Sequence, residues 1–175
     1  MATSPRHLWL LGLSGAGKST LGPRLAKALN LPWIDTDSEI AREANRTIPE
    51  IFEAEGEEEF RNRESRILEK IASGPAAVVS CGGGIVLRQS NREILASTGC
   101  RIYLRSDPAT LARRLQASSD RPLLSGDSRE SALAQQLAQR VGFYEESEIQ
   151  IHVSRLSPEE TMAAIRDRLP APWSR

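Results

Sequence analysis

Gly12-Leu13-Ser14-Gly15-Ala16-Gly17-Lys18-Ser19 matches the phosphate-binding loop pattern GxxxxGK[ST] in full. It lies between an apolar run, Leu8-Trp9-Leu10-Leu11, and a stretch with helical character, Thr20 to Leu29. Strand, glycine loop and helix in that order are the context the motif requires. The glycines permit positive φ, so backbone N–H groups can close on phosphate oxygens, and the following helix turns its positive end toward the same anion. Lys18 can then reach the β- and γ-phosphates, and the Ser19 hydroxyl can ligate Mg²⁺. Gly15, Ala16, Gly17, Lys18, Ser19 and Thr20 are therefore the expected nucleoside triphosphate site.

A chain of 175 residues suits one domain, spanning residues 1–175. Its 23 basic and 23 acidic residues cancel, so no global field draws nucleic acid or a membrane surface. Cys81 and Cys100 fit neither a metal-ligand spacing nor a disulfide framework, which suits a reducing compartment. No apolar run approaches the roughly 20 residues of a membrane span. Met1 to Arg6 lacks the apolar stretch of a secretory signal. A cytoplasmic protein without nucleic-acid or membrane partners is expected.

Strand and helix signals alternate outward from the loop. Strands are expected at Leu8 to Leu13, Pro32 to Asp35, Ala76 to Ser80, Arg101 to Leu104 and Ile149 to Val153. The helices between them run from Lys18 to Leu29, from Ser38, over Glu57 to Ala72, Asn91 to Ala96, Pro108 to Leu115 and Arg129 to Tyr144. Thr47 and Glu50 form a capping box that opens a short helix ended by Gly56, and Ser157-Pro158-Glu159-Glu160 caps the last helix. Ala117 to Ser128 is polar and without periodicity, and Pro170 to Arg175 reads as a frayed tail. The alternation predicts an α/β three-layer fold with a five-stranded parallel sheet.

In such sheets ligands sit beyond the carboxyl ends of the strands. The first strand delivers the phosphate loop, the second Asp35-Thr36-Asp37, and the third Cys81-Gly82-Gly83-Gly84. A carboxylate beside a triphosphate can hold Mg²⁺ or accept the proton of an attacking hydroxyl. The plainer alternative is that Asp37 is only the N-cap of the next helix. The triple glycine is either a flexible turn or a backbone cradle for a ligand. Arg61 and Glu64 share one helix face, whereas Arg63 and Arg66 turn elsewhere. Arg121, in Arg121-Pro122-Leu123-Leu124, sits where a mobile lid could bring a cation onto the phosphates.

The phosphate loop, Asp35-Thr36-Asp37, Phe60-Arg61 with Glu64, Gly82-Gly83-Gly84, Arg121-Pro122-Leu123-Leu124 and Arg140 with Tyr144 occur in one order, over about Leu8 to Leu169. In this order they resemble the shikimate kinase family. The resemblance implies a P-loop kinase sheet in strand order 2-3-1-4-5, a substrate-binding segment at about 36–66 and a lid at about 117–128. It also implies transfer of phosphate from ATP to the 3-hydroxyl of shikimate, toward chorismate and aromatic amino acids, by a monomer. Carried over by position, Ser19 and Asp35 serve Mg²⁺ and Lys18 the phosphates. Asp37, Arg61, Gly83, Gly84 and Arg140 bind shikimate, with Asp37 as base, and Arg121 is the lid arginine. Arg114 packs near adenine, and a further adenine contact falls on either Arg155 or Leu156. Two arginines suit a carboxylate substrate, since each can grip it bidentately. Two rivals remain: a kinase of another small polyol or acid such as gluconate, and a non-catalytic binding module. The second should have lost Lys18, Asp37 or a substrate arginine, and all are present.

Overall fold

The computed structural model describes residues 7–117 and 126–173. Arg121, and with it the core of the expected lid, lies outside the described residues. Five strands form one all-parallel sheet: β1 (His7–Leu11), β2 (Trp33–Asp35), β3 (Val78–Ser80), β4 (Gly99–Arg105) and β5 (Ile149–His152). Their order is β2-β3-β1-β4-β5, as expected. Between and after them run α1 (Lys18–Leu29), α2 (Thr36–Ala44), α3 (Ile48–Ala72), α4 (Gln89–Thr98), α5 (Pro108–Ala117), α6 (Gly126–Tyr144) and α7 (Pro158–Arg166).

Every residue of β1 and β3 is buried, so both sheet faces there must be covered. Helix α1 packs on β2, β3 and α7, while α4 packs on β4 and α3. The result is the three-layer α/β/α architecture of P-loop kinases. Edge strand β5 instead alternates buried and exposed residues. Among the described residues no helix is long and apolar enough to cross a membrane.

Several boundaries differ from the expectation. β1 stops at Leu11 rather than Leu13, because Gly12 leaves extended geometry with φ +143°. β3 begins at Val78 rather than Ala76, although Leu8 N–H still donates to Ala77 O at 3.0 Å. The Thr47 capping box forms with both of its bonds. Gly56 (φ 79°, ψ 174°) breaks the helical geometry, and the two helices expected around it join as the kinked α3. A 3₁₀ turn at Ile85–Leu87 follows the triple glycine and had no sequence signal. The tail is not frayed through residue 173. Trp173 buries its indole against the core, and its backbone N–H donates to Pro170 O at 3.0 Å.

Candidate active site

The phosphate loop needs glycine at Gly15 and Gly17, whose φ values are +85° and +99°. Lys18 opens α1 and is buried. Its Nζ curls back to donate to Gly12 O at 2.6 Å and Leu13 O at 2.9 Å. Burial pulls its ammonium down to about 8, against the opposing field of Asp37 and Asp35. A triphosphate placed on the loop would favour the charged ammonium and raise that value again. ATP binding above about pH 8 should therefore take up a proton, and affinity should fall as pH rises through that value. Titration calorimetry at alkaline pH, in two buffers of unlike ionisation enthalpy, should give unequal heats. Equal heats would remove Lys18 from the phosphate contact.

The two aspartates divide their work. Asp35, not Asp37, is the N-cap of α2, and its Oδ1 accepts from Ser38 N at 2.9 Å. For this reason α2 starts at Thr36, two residues before the expected Ser38. The other oxygen of Asp35, Oδ2, accepts from Ser19 Oγ at 3.2 Å. A hydroxyl and a carboxylate oxygen thus converge at the mouth of the loop. Two hard donors of this kind fit Mg²⁺, which keeps several waters and leans on substrate phosphates rather than a full protein cage. No group of three or more acidic, His or Cys side chains among the described residues forms such a cage. Asp37 is relieved of capping. Its Oδ1 lies so close to Gly82 that a Cβ built there would be 2.6 Å from it.

The triple glycine is held by neighbouring side chains rather than forming a loose turn. Thr36 Oγ1 accepts from Gly82 N at 2.8 Å, and Tyr144 Oη donates to Gly83 O. A Cβ on Gly84 would collide with the Arg61 guanidinium, and one on Gly83 would stand 3.5 Å from Arg140 Nη1. Gly84 therefore makes room for Arg61, while Arg140 rests against Gly83 at ordinary contact distance. Arg61 is ion-paired to buried Glu64 at 2.6 Å. Burial lifts the Glu64 carboxyl to about 7 even though Arg61 acts to lower it. Tyr144 stacks on Tyr103 with centroids 4.9 Å apart, and burial pushes its hydroxyl up. Arg61 Nε, Glu64 Oε1 and Arg140 Nε are all buried without a hydrogen-bond partner. Buried polar atoms are ordinarily satisfied, so three orphans in one place mark where a polar ligand would supply the missing bonds.

A cleft of about 780 Å³ joins these parts, within the range of small-molecule sites. Gly15 to Thr20, Asp35, Asp37 and Gly83 line it; Arg61 and Arg140 are not among its lining residues and adjoin it through Gly84 and Gly83. Arg114 also lines it, donating to Val153 O at 3.1 Å and Gly15 O at 3.4 Å. Leu115, Val153, Leu156 and Pro158 complete an apolar end that the residue pattern alone did not single out. Of the two residues left open beside adenine, Leu156 faces the cleft and Arg155 is exposed outside its lining. Cys81 lies at the cleft floor, where burial keeps its thiol protonated.

Sheet order and loop together place the fold among the P-loop kinases of small molecules. A family model described as Shikimate kinase matches residues 14–170. The chain belongs to the shikimate kinase family. It is 38% identical to a shikimate kinase of Rhodopseudomonas palustris over 96% of this chain and 85% of that protein. It is 41% identical to one of Symbiobacterium thermophilum, over 93% of this chain and 95% of the relative. The solved shikimate kinase of Acinetobacter baumannii in complex with shikimate superposes with a TM-score of 0.85. It is 34% identical, with 93% of this chain and 91% of that chain covered.

Proposed function

We propose that this chain transfers the γ-phosphoryl group of ATP to the 3-hydroxyl of shikimate, giving shikimate 3-phosphate and ADP on the route to chorismate and aromatic amino acids. The observation that carries the reading is the orphaned pocket beside Asp37. Two guanidiniums beside Gly83 and Gly84 suit a small carboxylate with hydroxyls, and Asp37 and Gly83 line the cleft into which the phosphate loop opens. Family membership favours the same substrate.

In this reading N–H groups of Gly15 to Thr20 and the Lys18 ammonium hold the triphosphate. Arg114 and the apolar end near Leu156 take the adenine. Ser19 and Asp35 would hold Mg²⁺, which when bound would offset phosphate charge. Arg61 and Arg140 clamp the shikimate carboxylate, Gly83 and Gly84 offer backbone N–H groups, and Asp37 accepts the proton of the attacking hydroxyl. Arg121, outside the described residues, would supply a further cation over the transferring phosphoryl group from a lid. The segment 36–66 then carries much of the acceptor side within one catalytic domain. Trp33 is the one exposed large apolar side chain among the described residues, which suits a monomer. Free, buried Cys81 and Cys100 suit the cytoplasm.

The direct test is ADP release in the presence of ATP and Mg²⁺. Shikimate should raise it far above the rate without acceptor, and gluconate should not. Release unaffected by shikimate would overturn the assignment.

A further inference from the structure

The peptide between Lys18 and Ser19 is gripped from outside the cleft. Ser80, the last residue of β3, is 1% exposed and donates through Oγ to Lys18 O at 2.8 Å. The same Oγ accepts from Trp33 Nε1 at 3.0 Å. Trp33 belongs to the edge strand β2 and is 39% exposed, so its indole N–H could have been left to water. It is turned inward instead, into a notch kept open by Gly22. A Cβ built on Gly22 would stand 2.6 Å from Ser80 Oγ and would strike the indole nitrogen.

The consequence follows from peptide geometry. In a planar trans peptide the C=O of one residue and the N–H of the next point in opposite directions. Helix α1 already directs Lys18 O along its axis, and the Ser80 hydroxyl adds a second hold that keeps Ser19 N–H turned the opposite way. Ser19 lies in the first turn of α1 and lines the cleft, and its N–H has no protein acceptor among the described residues. It is one of the donors an anion at this helix terminus would use. Hydrogen bonds linked in a chain also polarise one another, so a donor feeding Lys18 O makes Ser19 N–H a better donor.

We propose that Trp33 is a positioning residue for the nucleotide, the outer end of a relay from Trp33 Nε1–H to Ser80 Oγ–H to Lys18 C=O that aims and polarises Ser19 N–H toward the phosphates. The proposal rests on the reading of the loop as the ATP site and needs no particular acceptor. It also explains why an aromatic residue stands exposed on the edge strand beside Asp35. Strand β2 thereby holds the start of α1 twice, through Asp35 on the Ser19 hydroxyl and through Trp33 on the preceding peptide.

Trp33→Phe keeps the ring and removes the donor, Ser80→Ala removes the hydroxyl, and the double variant removes both. Calorimetric ATP affinity, the KM for shikimate and the thermal midpoint are measured for each. The Phe variant should weaken ATP about threefold and the Ala variant about tenfold, the range of one net hydrogen bond. The double variant should be no weaker than Ser80→Ala, and the KM for shikimate should stay at the parent value. Additive losses, or a lowered thermal midpoint with unchanged ATP affinity, would overturn the relay. If Ser80→Ala does not fold, Trp33→Phe decides alone by ATP affinity against the KM for shikimate. ATP calorimetry reports on the relay even if the parent proves to phosphorylate a different acceptor, so the two readings fail separately.

Discussion

Asp37→Asn should cut turnover by about 10²-fold or more, the scale expected when a positioned proton acceptor is lost. Asparagine keeps the size of the side chain, so little should change in packing against Gly82. The helix start should survive as well, because its cap is Asp35. ATP affinity should stay near the parent value, since in the proposed reading the loop N–H groups and Lys18 carry the phosphates. The acceptor hydroxyl would still reach the phosphoryl group but would keep its proton through the transition state. Steady-state kinetics beside ATP calorimetry separates these effects. Near-parent turnover in this variant would take Asp37 out of the chemistry.

Arg61→Ala and Arg140→Ala should each weaken shikimate by about 2–5 kcal/mol, roughly 30-fold or more, because a truncated charge pair strands its desolvated partner. For Arg61 the stranded groups would be two under the proposed binding mode: the substrate carboxylate and Glu64, already raised to about 7. Arg61→Ala should therefore also cost stability, as Glu64 loses the cation that favours its charged form. Arg140 makes no ion pair with a described carboxylate, so its loss should act more on the substrate than on the fold. In both variants the ATP dissociation constant should hold. An ATP affinity that fell as far as shikimate affinity would place these arginines on the wrong ligand.

The loop from Leu11 to Ser19 was legible because its requirements are local: a run of apolar residues, glycines at fixed offsets and a helix start. The central strands were legible for a related reason, since Leu8-Trp9-Leu10-Leu11 and Val78-Val79 leave no polar face to expose. What stayed hidden depends on direction and distance. Asp35 and Asp37 are two residues apart and both line the cleft, and no spacing rule says which of them caps α2. That Arg61 lies on Gly84, and Tyr144 on Gly83, is decided by how α3 and α6 approach the end of β3. The apolar end of the cleft brings Leu115 of α5 against Val153 and Leu156 of the segment between β5 and α7, and none is unusual in its own stretch. Trp173 follows the last helix among prolines, and only a core to dock on tells a buried indole from a frayed end.

Strand order also governs how the chain comes to exist. β1 occupies the middle of the sheet, with Leu8 facing Val78 on one side and Cys100 on the other. Both neighbours are made long after it. At synthesis rates of ~5–20 residues per second, roughly 5–20 s separate the emergence of β1 from completion of β4. Through that interval His7–Leu11, all of it destined for burial, has no partner within the nascent chain. An unpaired apolar strand is a point of wrong association, and pairings so distant in sequence form slowly. The stretch translated in the meantime, residues 36 to 70, is dense in Glu and Arg, which keeps the growing chain soluble while β1 waits. The phosphate loop is thus synthesised well before the strands that fix its place, because the strand that anchors it is not set until β3 and β4 arrive.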